Sequence, residues 1–180
     1  MWPSLDKHPL PVSAPPDLID HLPRLRRYAR ALTLDMAQAD DLVQDTLERA
    51  LVKLDLWRPG TDLRAWLFTL MHNLFVNKVR ANRPRETDLD EARDVPVSGG
   101  QMDALALRDI HAALGRLPTE QREVILLVGL EQFGYGEAAH ILGVPLGTVM
   151  SRLSRGRERL RQLLSDGAVN EPVVKLKVIK

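Results

Sequence analysis

The chain has 180 residues, a formal net charge of +1 and no cysteine. That length allows one ordinary domain or two small ones, and the composition excludes disulfides, thiolate metal sites and a simple polycation that coats nucleic acid. The five histidines, His8, His21, His72, His111 and His140, lack ligand spacing, so neither a metal nor a cofactor is expected.

The opening "MWPSLDKHPLPVSAPP" holds five of the twelve prolines and predicts a disordered tail over residues 1–16. It has no basic start followed by an apolar block, so it does not read as a secretion signal. The greasiest run, "VILLVGL", falls far short of the roughly 20 residues a membrane span needs. The expectation is a soluble, cytoplasmic protein with no membrane insertion.

Helical periodicity runs from Asp17 to about Arg83 and predicts a first all-α domain over 17–83. In "DMAQADDLVQDTLERALVKL", Asp35 and Gln38 are spaced as a capping box. Leu42, Val43, Thr46, Leu47, Ala50, Leu51 and Leu54 recur at three- and four-residue steps and predict an inward stripe. The opposite face carries Asp41, Gln44, Asp45 and Glu48. From Asp35 to Glu48 there are five acidic residues and no basic one. Asp41 and Asp45, four apart, repel by roughly a few tenths of a kcal/mol. A face shaped only for helix stability would alternate its signs, so this one suits docking to a basic protein surface. The plainer alternative is a solvated helix face.

Next, "WRPGTDLRAWLFTLMHNLFVNKVRANR" predicts a helix capped by Thr61 or Asp62 and running to about Arg80. Trp66, Leu67, Leu70, Leu74 and Phe75 supply its apolar content. His72, Asn73, Asn77, Lys78 and Arg80 form an amide-and-cation surface, with Trp57 in the preceding loop. Aromatic rings beside amides and cations suit unstacked single-stranded bases: the ring stacks, the amide reads an edge and the cation holds phosphate. Trp66 and Phe75 read as core. Trp57, Asn73 and Asn77 are the better base-binding candidates, since none is needed to fill a core.

Residues 84–100, "PRETDLDEARDVPVSGG", are polar and acidic, with two prolines and a Gly-Gly pair. They predict a flexible linker between two small helical domains. Fully extended, it spans about 55–60 Å, roughly 16–18 base pairs of B-DNA. The two blocks can therefore occupy DNA segments more than one helical turn apart.

The second domain is expected over 101–165. Pro118 opens a supporting helix in "ALGRLPTEQREVILLV", with Val124, Ile125, Leu127 and Val128 as its apolar mass. Its "PTEQRE" face suits either DNA phosphates or a protein partner, and the spacing does not decide. "LEQFGYGEAA" follows and is unusually rich in glycine. In "EAAHILGVPLGTVMSRLSRGRERL", Gly143 stops one helix and Pro145 starts the next, which runs from about Leu146 to Leu164. Ala139, Gly143 and Val149 fall where a helix-turn-helix wants a small residue, a turn glycine and a buried branched residue. Val149, Leu153, Leu160, Leu163 and Leu164 form the inward stripe of the second helix. Thr148, Ser151, Arg152 and Arg155 project from its N-terminal half, where a recognition helix enters a major groove. Arg157, Arg159 and Arg161 suit phosphate contacts. An amphipathic hairpin with a solvated basic face is the alternative. Residues 166–180 form a tail in which "VVKLKVI" alone shows strand-like alternation.

These pieces, in this order, resemble the extracytoplasmic-function (group 4) sigma factors of bacterial RNA polymerase. The words that carry the resemblance are "ADDLVQDTLERAL", "DLRAWLFTLMHNLFVNKVR", "LPTEQREVILL" and "EAAHILGVPLGTVMSRLSRGRERL". The resemblance implies that Asp41, Gln44, Asp45 and Glu48 bind the β′ clamp helices of core polymerase, with the β subunit as a further contact. It implies that Trp57 and Asn73 line a pocket for a flipped −10 base and that Asn77, Lys78 and Arg80 support the separated strand. Thr148, Ser151, Arg152, Arg155 and Arg157 would then meet the −35 element. The wording is nearest to the general-stress-response group, which implies control by a small anti-sigma factor, with the chain monomeric when free or 1:1 with its inhibitor. A sigma-like decoy and a dimeric helix-turn-helix repressor are the competing readings. No nucleophile–base pair or phosphate loop is visible, so an enzyme is not expected.

Overall fold

The computed structural model describes residues 16–57, 60–81 and 101–168, with side chains for 18–57, 60–81 and 107–165. Among the described residues the regular structure is all helical. Helices α1 (Pro16–Asp20), α2 (Leu22–Thr33), α3 (Met36–Val52) and α4 (Leu63–Ala81) form the first unit. Helices α5 (Gln101–Gly115), α6 (Thr119–Ile125), α7 (Tyr135–Leu142) and α8 (Leu146–Ala168) form the second. The tail before Pro16, the linker 84–100 and the strand-like segment near the C-terminus lie outside the described residues. Helix α8 continues beyond the expected end near Leu164 into the segment read as tail.

Local chemistry sets the element ends. Leu34 turns left-handed at φ 61° and closes α2, its N–H donating to the Arg30 carbonyl at 3.1 Å. The Asp35 carboxylate then accepts from the Gln38 N–H at 2.9 Å, which caps α3. For α4 the cap is Asp62, accepting from the N–H groups of Arg64 at 2.8 Å and Ala65 at 3.3 Å. Gly143 ends α7 at φ 62°, a conformation a side chain would strain. The Pro145 carbonyl accepts from Thr148 and Val149, so Pro145 stands one place ahead of α8 as its cap.

Helices α2, α3 and α4 pack around Leu25, Leu32, Leu42, Leu67 and Met71, all essentially inaccessible to solvent. In the α3 stripe Thr46 and Ala50 are buried as the spacing predicts. Leu51 departs from it and lies 45% exposed. Thr46 is tolerated inside because its hydroxyl donates to the Leu42 carbonyl at 2.6 Å. In the second unit Val124, Leu127, Ile141, Val149 and Leu153 form the core. The fully buried small residue of the helix-turn-helix is Ala138; Ala139, expected in that role, is only partly buried. Gly156 lets α8 cross α6 closely, since a Cβ there would lie 2.8 Å from Ile125 Cδ1 and 3.2 Å from Gln121 Cβ.

The two units are in contact, and their buried side chains merge into one core. After α6 the chain enters a π-helical turn, Leu126–Leu130, where the Glu131 N–H donates to the Leu126 carbonyl at 2.9 Å. Gln132 then takes φ 58°. Together these turn Glu131 and Phe133 toward α2 and α4. The Phe68 ring packs in T-shaped contacts with Tyr28 and with Phe133, at 5.0 and 5.1 Å between centroids.

Candidate protein and nucleic-acid interfaces

Helix α3 presents Asp41, Gln44 and Glu48 to solvent on one face, with the Gln44 amide donating to Glu48 at 3.0 Å. Asp45 is turned away from them. Its carboxylate meets Lys78 Nζ on α4 at 2.6 Å, with about two fifths of each side chain exposed. The repulsion between Asp41 and Asp45 is therefore offset inside the fold, and external docking is not needed to explain Asp45. Beside this face lies a groove between α2 and α3, lined by Leu47, Leu51 and Glu48 on one side and by Arg26 and Arg30 on the other. Leu51, Val52 and Leu56 extend it as exposed apolar residues at 45%, 79% and 71%. Sequence periodicity missed this strip because it assigned Leu51 to the core.

On α4, Asn73, Asn77 and Arg80 are exposed and share the helix with half-exposed Lys78. Trp57 does not stand clear of the core. It is partly buried against core residues, and its indole N–H is buried without a hydrogen-bond partner. His72 is likewise engaged, its Nδ1 lying 2.7 Å from the carboxylate of Glu123 on α6. Trp66 is partly buried against the core and Phe75 is buried, as the sequence predicts.

On α8, Arg155, Arg157 and Arg159 are exposed near Ser151, whose hydroxyl donates to the Thr148 carbonyl at 3.0 Å. Arg152 is held by Glu120 of α6 at 2.8 Å, and its side chain is 24% exposed. Arg161 donates to Glu158 at 2.8 and 3.2 Å, which pushes the Glu158 carboxyl below its usual range. The "PTEQRE" face, open in the sequence reading, is largely committed inside the molecule. Glu120 holds Arg152, Arg122 is buried with its guanidinium donating to the Leu114 carbonyl at 3.2 Å, and Glu123 is buried beside His72.

Among the described residues, no helix is long and apolar enough to cross a membrane, and no group of three acidic or histidine side chains could hold a metal ion.

Residues 18–72 match the family described as the Sigma2 domain of PhyR, and residues 107–160 match Sigma-70, region 4. A helical domain of the first kind ahead of a helix-turn-helix of the second defines a sigma-70-class transcription factor. The chain is 42% identical over 163 residues to the ECF RNA polymerase sigma factor EcfG of Rhodopseudomonas palustris, covering 89% of this chain and 90% of that protein. The sigma factor RpoE of Bartonella quintana, solved with the anti-sigma factor NepR, superposes with a TM-score of 0.73 at 40% identity, covering 83% of this chain and 94% of that one. CnrH, solved with the cytosolic domain of CnrY, superposes at 0.63 with 30% identity, covering 83% and 85%. The chain belongs to the extracytoplasmic-function sigma factors of bacterial RNA polymerase. It is an alternative sigma factor, binding core RNA polymerase and promoter DNA to direct promoter-specific transcription initiation.

Proposed function

We propose that residues 17–83 dock the polymerase and hold the opened −10 strand, and that residues 101–165 read the −35 duplex. One observation carries this division. The exposed carboxylates Asp41 and Glu48 and the exposed guanidiniums Arg155 and Arg157 stand on different units of the fold. Asp41, Gln44 and Glu48 meet the β′ clamp helices, and the apolar strip Leu51, Val52 and Leu56 supplies the desolvated part of that contact. The β subunit is a further contact. Asp45 acts through Lys78 and so joins the docking helix to the strand-holding one. Asn73 reads the flipped base, while Asn77, Lys78 and Arg80 hold the strand. Trp57 shapes the pocket wall from its half-buried place. Thr148, Ser151, Arg152 and Arg155 face the −35 bases and Arg157 its phosphates.

The likeness to EcfG and to the NepR-bound RpoE supports a role in the general stress response under a small anti-sigma factor, bound 1:1. The work is done in the cytoplasm by the chain's own side chains, with neither a catalytic residue nor a cofactor. Run-off transcription with purified core polymerase tests the reading: a promoter-specific transcript that disappears with Asp41→Lys is expected. The likeness of residues 18–72 to the Sigma2 domain of PhyR supports one second reading, a decoy that binds an anti-sigma factor. A decoy gives no transcript in the same assay.

A further inference from the structure

We propose that Leu146 and Met150 form an apolar reader on α8 that takes the C5-methyl group of a thymine in the −35 element, with Gly147 between them letting the helix sit deep in the groove. The proposal rests on the duplex-reading role given to residues 101–165 above and adds to it side chains of a different chemistry.

Both side chains are large, apolar and open: Leu146 is 49% and Met150 52% exposed. They stand four residues apart and so share one face of the first turns of α8, beside the stripe of Val149 and Leu153 that packs inward. Their polar neighbours are already engaged within the fold. The Ser151 hydroxyl donates to the Thr148 carbonyl at 3.0 Å, and Arg152 is held by Glu120 at 2.8 Å. Farther along α8, Arg155, Arg157 and Arg159 are exposed, and the carboxylate of Glu158 among them is taken up by Arg161 at 2.8 Å. An apolar pair followed by guanidiniums fits a phosphate-lined surface with one greasy spot inside it. A thymine offers that spot, because its C5-methyl is the apolar group among the polar base edges of the major groove.

Gly147 points the same way independently. It is exposed in the first turn of α8, where a Cβ would meet nothing within 4 Å. Packing does not require glycine there, as it does at Gly156, and the backbone is not left-handed. Alanine would favour the helix. What glycine supplies is bare backbone, which lets another surface approach closely. Side chains four residues apart on a helix are about 5–6 Å apart at Cβ. That is less than two base-pair steps of about 3.4 Å, so one methyl, or those of two adjacent thymines, lies within reach of the pair.

The test uses polymerase holoenzyme carrying the full chain. It first selects its −35 sequence from randomised duplexes; each thymine of that element, on either strand, is then replaced by deoxyuridine, which removes only the methyl. One position, or two adjacent ones, should show binding weakened about fourfold by uracil, the burial of one methyl. Met150→Ala and Met150→Gln should bind the thymine duplex about fourfold more weakly and no longer distinguish it from uracil, while Met150→Leu keeps the distinction. Gly147→Ala should raise the melting temperature yet weaken duplex binding, an opposition that a purely structural glycine does not produce. Circular dichroism confirms unchanged helix in the Met150 variants. Uracil tolerated at every position, or a uracil effect that persists in full when Leu146→Ala and Met150→Ala are combined, overturns the reader. A loss of polymerase binding in place of duplex binding also overturns it, because the pair is then a protein contact. Indifference to every base pair of the element overturns the −35 reading as well, whereas uracil tolerance beside intact base-pair preference removes the methyl contact alone.

Discussion

Asp45 and Asp41 sit one turn apart on the same helix, yet the structure gives them different work, and charge reversal separates the two. Asp45 pairs with Lys78 at 2.6 Å with both side chains about two fifths exposed. A pair so placed contributes about 0.5–1 kcal/mol. Asp45→Lys removes that and sets two ammonium groups together, for a total loss of about 1–1.5 kcal/mol. In a domain of about 65 residues the melting temperature should fall by about 4–12 °C. Asp41 is exposed to solvent on α3. Asp41→Lys should melt within about 2 °C of the unaltered chain while its Kd for core polymerase rises by about 30-fold, the loss of one complementary charge pair and its replacement by repulsion.

The assays are thermal melting followed by circular dichroism and equilibrium binding to core polymerase. The double variant Asp45→Lys with Lys78→Asp restores the ion pair in reverse, so it should recover most of the lost stability. If it melts no higher than the sum of its two single variants allows, the pair is not coupled and the assignment of Asp45 is wrong. If Asp41→Lys binds core as well as the unaltered protein does, α3 is not the docking face.

Other expectations follow from the same contacts. Arg152→Ala should weaken discrimination among −35 sequences by about 1–3 kcal/mol while leaving core binding intact; electrophoretic mobility shifts on matched and mismatched sites measure it. Glu120→Gln frees Arg152 from its 2.8 Å partner, and a steeper salt dependence of duplex binding is expected. Gly156→Val forces a side chain into the 2.8 Å approach to Ile125 Cδ1 and should cost about 2–3 kcal/mol by overpacking, read as a lower midpoint in urea. Partial burial, and after it the charge of Arg122, lowers the His111 pKa from 6.5. The unfolded chain then takes up this proton more readily, so stability present above pH 6.5 is lost as the pH falls below it; His111→Gln should flatten that acid limb of the melting profile. Burial, then the carboxylates of Glu123 and Glu131, raise the Tyr28 hydroxyl well above 10.0, so the closed fold loses support as the pH rises through that value. Phenolate absorbance should show Tyr28 ionising only as the fold is lost.

What the sequence disclosed was whatever depends on neighbours within a turn or two. Gly143 stops a helix because its left-handed φ is a property of one residue, and Asp35 caps α3 because its carboxylate reaches an N–H three places on. Val149 and Leu153 could be placed inside because helical spacing reports which side of α8 is apolar. Spacing does not report what that side meets. Leu51 falls on the apolar stripe of α3 but borders the open groove toward α2, so it is left 45% exposed. Trp57 looked surplus to the core because the loop that folds it back is not periodic. Glu131 reads as an ordinary polar residue after a helix; its burial depends on Arg27, 104 residues earlier. The one sequence signal near it was the glycine-rich run "LEQFGYGEAA", in which Gly134 precedes α7 as its cap position, while the left-handed turn itself falls on Gln132.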